Sequence, residues 1–189
     1  MIYQNADLKT TGIVLGVALI ASHIVALLKG ESVQSFLKDF PRNRAAGIVL
    51  MTINAIWAWW VVSSMDLGEF SALKQKILFV IPIAYLLVVI FVEEFLAVRA
   101  LGTLMLLASC VLLDSAWFQF PETFPQSKLL MPILAYAWII IGMFWVGMPY
   151  LMRDQISWLH QSAPRWKGAC IGGIVYGVLT LGCALAFWN

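Results

Sequence analysis

The chain has 189 residues, 62% of them hydrophobic and 12% charged, with a formal net charge of +2 and a mean hydropathy of +0.88. Soluble domains are roughly half apolar and a quarter charged, so this composition excludes water as the main solvent. Lys and Arg are few and scattered, which excludes a nucleic-acid footprint, since that needs basic residues clustered on one face.

The composition therefore predicts an all-α polytopic integral membrane bundle with the lipid bilayer as its principal partner. A spanning helix needs about 20 apolar residues. Six stretches meet that need, at 11–28, 45–62, 77–92, 100–117, 131–151 and 168–188. They form one transmembrane domain over residues 1–189, arranged as three hairpins. The first stretch lacks the basic start, short apolar centre and small-residue cleavage site of a signal peptide, and is expected to stay as an anchor.

His23 lies in the first span among Ile, Val, Leu, Ala, Gly and Ser. An ionisable side chain at that depth is costly and needs a partner, water or a function. The loop that follows carries Val33, Phe36, Leu37 and Phe40 at i, i+3, i+4 and i+7, with Lys38 and Asp39 off that face. Such spacing predicts a short helix lying in the membrane interface. Pro41 ends it, and Arg42 and Arg44 stand at the level of lipid phosphates.

Asn54 falls mid-span and is expected to bond across to another helix and fix its register. The third and fourth spans carry no Gly, Pro or Asn turn signal between Pro82 and Gly102. Length decides their division: 41 residues from Ile77 to Trp117 would make one helix of roughly 60 Å, twice the bilayer core. Two spans with a tight hairpin near 93–99 fit better. That hairpin would bring Glu93, Glu94 and Arg99 within salt-bridge reach. With His23 in the same half of the bundle, these residues form the leading candidate site. Asp114 near the end of the fourth span is a further candidate, either solvated at the interface or facing a cavity.

Pro82, Pro132 and Pro149 lie in or at the ends of spans and are expected to kink them. The fifth loop repeats the pattern of the first, with Ser157, Trp158, Leu159, Pro164 and Arg165 against Ser35, Phe36, Leu37, Pro41 and Arg42. The same interfacial physics acting on both loops accounts for the likeness, and an internal repeat of helix hairpins is the alternative. In the last span, Gly168 with Gly172 and Gly173 with Gly177 have GxxxG spacing, which predicts a face for close helix packing within the chain or against a partner.

The first, third and fifth connections hold eight Lys and Arg and the other side four. The positive-inside rule then makes the odd connections cytoplasmic and places both termini outside. Compactness suggests a bacterial plasma membrane. Nine Trp residues are present, and Trp59, Trp60, Trp117, Trp158, Trp166 and Trp188 fall at span ends, where an indole suits headgroup depth. Trp57, Trp138 and Trp145 lie deeper, in positions for packing. Cys110, Cys170 and Cys183 have no metal or redox spacing and read as small buried hydrophobes.

Glu93, Glu94 and Arg99 resemble the EExxxR motif of the intramembrane CAAX-protease and bacteriocin-processing family, which implies glutamates activating water at a metal. Here four residues intervene rather than three. His23 and His160 do not stand in that family's FxxxH or HxxxN contexts, so the resemblance brings no metal ligands with it. There is no HExxH, GxSxG or Walker lysine, and a single spanning histidine offers no bis-histidine haem site. No cofactor, metal or catalytic residue is assigned on the sequence. It favours a non-enzymatic accessory or assembly subunit, docking through its glycine face to a membrane-protein partner or a second copy. A small transporter with a polar cluster between hairpins is the alternative, and an intramembrane enzyme on a lipid substrate comes third.

Overall fold

The computed structural model describes residues 6–92, 94–119, 121–122 and 124–188. The described residues are 89% helical, with no strand among them. The helices are α1 Leu8–Leu28, α2 Gly30–Asp39, α3 Arg44–Ser64, α4 Ser71–Phe91, α5 Leu96–Phe118, α6 Leu130–Gly147, α7 Tyr150–His160 and α8 Ala163–Ala186. Among the described residues, six segments are long and apolar enough to cross a membrane: Leu8–Leu28, Arg44–Ser64, Gly68–Phe91, Leu96–Trp117, Pro125–Gly147 and Ala163–Ala186. Helices α2 and α7 are the short amphipathic pieces between spans.

Local chemistry sets the helix ends. Asp7 caps α1, its Oδ2 accepting from the Thr10 amide at 2.9 Å and the Thr10 hydroxyl at 2.8 Å. Asn43 caps α3 by accepting from the Ala46 amide at 3.0 Å. Each satisfies a donor that has no partner inside its helix. Pro41 lies in the 3₁₀ turn Phe40–Arg42 that closes α2. Helix α6 stops at Gly147 rather than continuing to Leu151. Pro149 has no N–H to carry the helix further, and α7 restarts at Tyr150.

The connection between α4 and α5 is shorter than expected and ends at Phe95, so Arg99 lies inside α5 and not in the hairpin. Phe95 has φ 57°, a left-handed conformation that costs a non-glycine residue roughly 1–2 kcal/mol. The first turn of α5 offsets this by burial: Leu96, Ala97, Val98 and Ala100 are all at most 1% exposed.

The chain forms two compact units, each assembled from separate stretches of sequence. Among the described residues, one comprises 39–108 and 138–152; the other comprises 6–38, 109–137 and 153–188. In the first unit α3 packs on α4. Gly47 admits the start of α5, since a Cβ there would lie 2.7 Å from the Ala97 nitrogen. Gly102 of α5 and Gly142 of α6 admit each other in the same way, each carbonyl 2.8 Å from where the other's Cβ would be.

In the second unit α1 packs along α8. Gly16 and Gly177 face one another, and a side chain at Gly12 would meet Trp188 and Ala184. Trp188 is fully buried and donates from Nε1 to the Ser127 hydroxyl at 2.8 Å. Trp166 is also buried and donates to the Ala26 carbonyl at 3.2 Å. These two indoles therefore pack within the chain and do not lie at its surface, whereas Trp59, Trp60, Trp117 and Trp158 are exposed.

Candidate functional site

The polar groups carried by the apolar helices define where any site would be, because a buried polar group costs free energy unless it is hydrogen-bonded. In the second unit, the His23 Nδ1 lies 2.8 Å from the Leu19 carbonyl on its own helix. A carbonyl only accepts, so Nδ1 carries a proton. The opposite edge of the ring lies over Gly173 of α8, where any Cβ would overlap it. Tyr176 donates its hydroxyl to the Leu130 carbonyl at the start of α6. His23 is thus seated by a glycine that the sequence assigned only to packing.

In the first unit, Asn54 is only 2% exposed and reaches from α3 to α5, donating from Nδ2 to the Ala100 carbonyl at 2.6 Å. Its Oδ1 is buried and has no hydrogen-bond partner among the described residues. Arg99 donates from Nη1 to the Val146 carbonyl at 2.9 Å. Val146 is the penultimate residue of α6, so the guanidinium occupies the negative end of that helix and satisfies one of its free carbonyls. The Arg99 Nε is buried without a partner among the described residues. A second polar pair joins α3 to α4, with 2.9 Å between the Thr52 and Tyr85 hydroxyls.

The expected pairing in the hairpin is therefore not formed by the residues described. Glu94 is an exposed turn residue and makes no ion pair with Arg99, which turns to α6 instead. Glu93 lies outside the described residues. His23 belongs to one unit and Glu94 and Arg99 to the other. Asp114 is half-buried in the last turns of α5. Among the described residues no three His, Cys, Asp or Glu side chains come together as a metal site.

The last helix uses its glycines unequally. Gly173 and Gly177 pack against α1, whereas a Cβ at Gly168 or Gly172 would meet nothing within 4 Å. The two GxxxG pairs lie on different faces, and among the described residues only the second is engaged. Its partner motif, Gly12 and Gly16 on α1, has the same spacing and is the signal that sequence reading passed over. Gly47, Gly102 and Gly142 had no such signal, because none of them has a second glycine at GxxxG spacing.

At the end of α7, the His160 ring lies 5.6 Å from Trp166, centroid to centroid. Both of its ring nitrogens are buried without a hydrogen-bond partner among the described residues. Burial pushes this imidazole below its ordinary 6.5, and the charge of Lys38 adds to the effect. At the opposite end of α1, the Thr10 amide bond holds the Asp7 carboxyl below its ordinary 3.8.

These features define a helical bundle with six membrane-length helices whose polar groups are largely spent on the chain's own backbone. No family model, curated protein or solved structure matches the chain.

Proposed function

We propose that this chain is a membrane-inserted, non-enzymatic accessory or assembly subunit, whose outer helix α4 docks to another membrane protein. The observation that carries the reading is α4 itself. None of its 21 residues is buried, and Phe79, Ile83, Leu86 and Ile90, at helical spacing on one side, are between 49% and 75% exposed. Lipid tails are as apolar as these side chains and give helices no hydrophobic reason to associate. A helix with so little packing of its own gains most from a protein neighbour.

The spent polar groups support this reading over transport. Asn54, Arg99, Tyr176 and His23 each bond to a backbone carbonyl within their own unit, whereas a substrate path needs polar groups turned towards a cavity. The excess of Lys and Arg in the odd connections supports a cytoplasmic placement for them. The six spans then cross as three successive hairpins with both termini outside.

Extraction in mild detergent followed by native mass spectrometry tests the proposal. The expected result is a stoichiometric partner chain that is lost when Phe79 and Ile83 are both replaced by Trp. A solitary chain, found also after cross-linking in the intact membrane, would overturn it.

A further inference from the structure

We propose that the basic end of the α1–α8 pair binds the phosphate headgroup of an anionic membrane lipid, through Lys29, Arg165 and Lys167. This rests on the membrane placement proposed above, and not on a partner at α4.

Trp166 assembles the site. Its indole donates to the Ala26 carbonyl at 3.2 Å, and the same Nε1 lies 3.6 Å from where a Cβ at Gly30 would be. The first turn of α8 is thereby tied to the joint between α1 and α2. Lys29 belongs to that joint, and Arg165 and Lys167 flank the indole on α8. Basic groups from distant parts of the sequence therefore come to one level. Lys38 stands near enough for its charge to act on His160, whose ring lies 5.6 Å from Trp166.

Charge selects the headgroup. Segments 29–38 and 153–167 hold five Lys and Arg against two acids, Glu31 and Asp154, and Asp154 is paired with Arg153 at 3.1 Å. Lys29, Lys38 and Lys167 are exposed and form no ion pair among the described residues. At the other end of the same unit, where Leu8 bonds Gln119 and Trp188 bonds Ser127, Asp7, Asp114 and Glu122 outnumber Lys9 and Lys128. Only the first end attracts an anion. A phosphatidylcholine headgroup gains little there, because its own cation is repelled as its phosphate is attracted. An anionic headgroup gains roughly fivefold in affinity for each basic residue at the membrane surface.

Apolar neighbours select a lipid over a free anion. Leu28, Phe36 and Trp158 are 81%, 59% and 53% exposed, and the Arg165 guanidinium lies 4.6 Å from the centre of the Trp158 ring. Exposed rings beside cations suit the boundary between headgroups and acyl chains. Inorganic phosphate can use the cations alone, whereas a lipid uses both.

The test titrates the full chain in mild detergent with phosphatidylglycerol and, separately, phosphatidylcholine, counting bound lipids by native mass spectrometry. Phosphatidylglycerol should be preferred. Lys29→Gln with Lys167→Gln should lower its affinity about 25-fold, at about fivefold for each cation removed, and leave phosphatidylcholine unaffected. Lys29→Arg with Lys167→Arg should bind as the original chain does, which separates charge from folding. Lys9→Gln with Lys128→Gln, which removes as much charge from the other end, should change nothing. Equal retention of the two lipids would overturn the proposal, as would equal losses from the two glutamine pairs. Displacement of the lipid by inorganic phosphate would also overturn it, in favour of a free-anion site. So would an acidic protein that co-purifies with the chain and is lost in Lys29→Gln with Lys167→Gln while lipid binding stays unchanged. A chain that fails to enter phosphatidylcholine nanodiscs would overturn the membrane placement and this inference with it, whereas a chain that enters them without the lipid preference overturns this inference alone.

Discussion

Gly16 and Gly177 each make room for the other's backbone: the carbonyl oxygen of either residue lies 3.0 Å from where the other's Cβ would begin. Such close approach of two helices allows Cα–H···O contacts and dense van der Waals packing. Helices α1 and α8 are held together in this way although 160 residues separate these two glycines.

Replacing Gly16 or Gly177 with Val should therefore push α1 and α8 apart and destabilise the chain by about 1–3 kcal/mol, the usual cost of overpacking. Gly172→Ala on the same helix meets open space and should change stability by no more than about 0.5 kcal/mol. Thermal unfolding in detergent compares the three. Equal destabilisation by all of them would refute the assigned packing face.

Arg99→Gln should loosen the end of α6. The guanidinium both bonds the Val146 carbonyl and sets a cation at a helix C-terminus, an arrangement worth about 0.3–2 kcal/mol. Hydrogen exchange is expected to rise at residues 144–148, with partial recovery in Arg99→Lys. Unchanged exchange there would show that Val146 finds its donor elsewhere.

Trp188→Ala should be among the most damaging single changes, at about 3–5 kcal/mol for a buried indole. It removes the side chain that covers Gly12 and leaves the buried Ser127 hydroxyl without its donor. Trp117→Ala, at an exposed position, should be close to neutral. The ranking of the two in a protease-resistance assay decides whether Trp188 belongs to the core or to the membrane interface.

The junction of α7 with α8 should respond to acid. Burial and Lys38 hold His160 below its ordinary 6.5, so on acidification the unfolded chain takes up this proton first. Stability then falls as the pH drops. The contribution is whole above the ordinary value and is lost as the pH falls through the lowered one. The protection of the α7 amides, relative to their intrinsic exchange at each pH, should therefore fall on going from about pH 8 to about pH 5. His160→Gln should remove that response, and Lys38→Met should reduce it. A response that persists in His160→Gln would point to a different group.

Much of the architecture was legible because apolar length and amphipathic spacing are local properties. The six apolar helices and the short amphipathic helices α2 and α7 lie close to where their sequence patterns place them. The candidate site was less legible. Glu94 and Arg99 are near in sequence, which suggested a pair, but the free carbonyl at the end of α6 is a stronger claimant for the guanidinium and comes from 47 residues away. His23 was visible as a costly residue, but not its seat on Gly173. Tyr85 and Thr52 drew no attention, since hydroxyl residues in spans are common.

The sequence by itself determined that this chain is helical, that six of its helices are apolar over membrane length, and where most of them begin and end, because caps, prolines and apolar runs act over a few residues. Only the tertiary structure decided which glycines are used, that Trp166 and Trp188 are buried, and which carbonyl each spanning polar group takes. Those choices depend on how two distant helices face each other, and a periodic pattern fixes the face of a helix without fixing its neighbour.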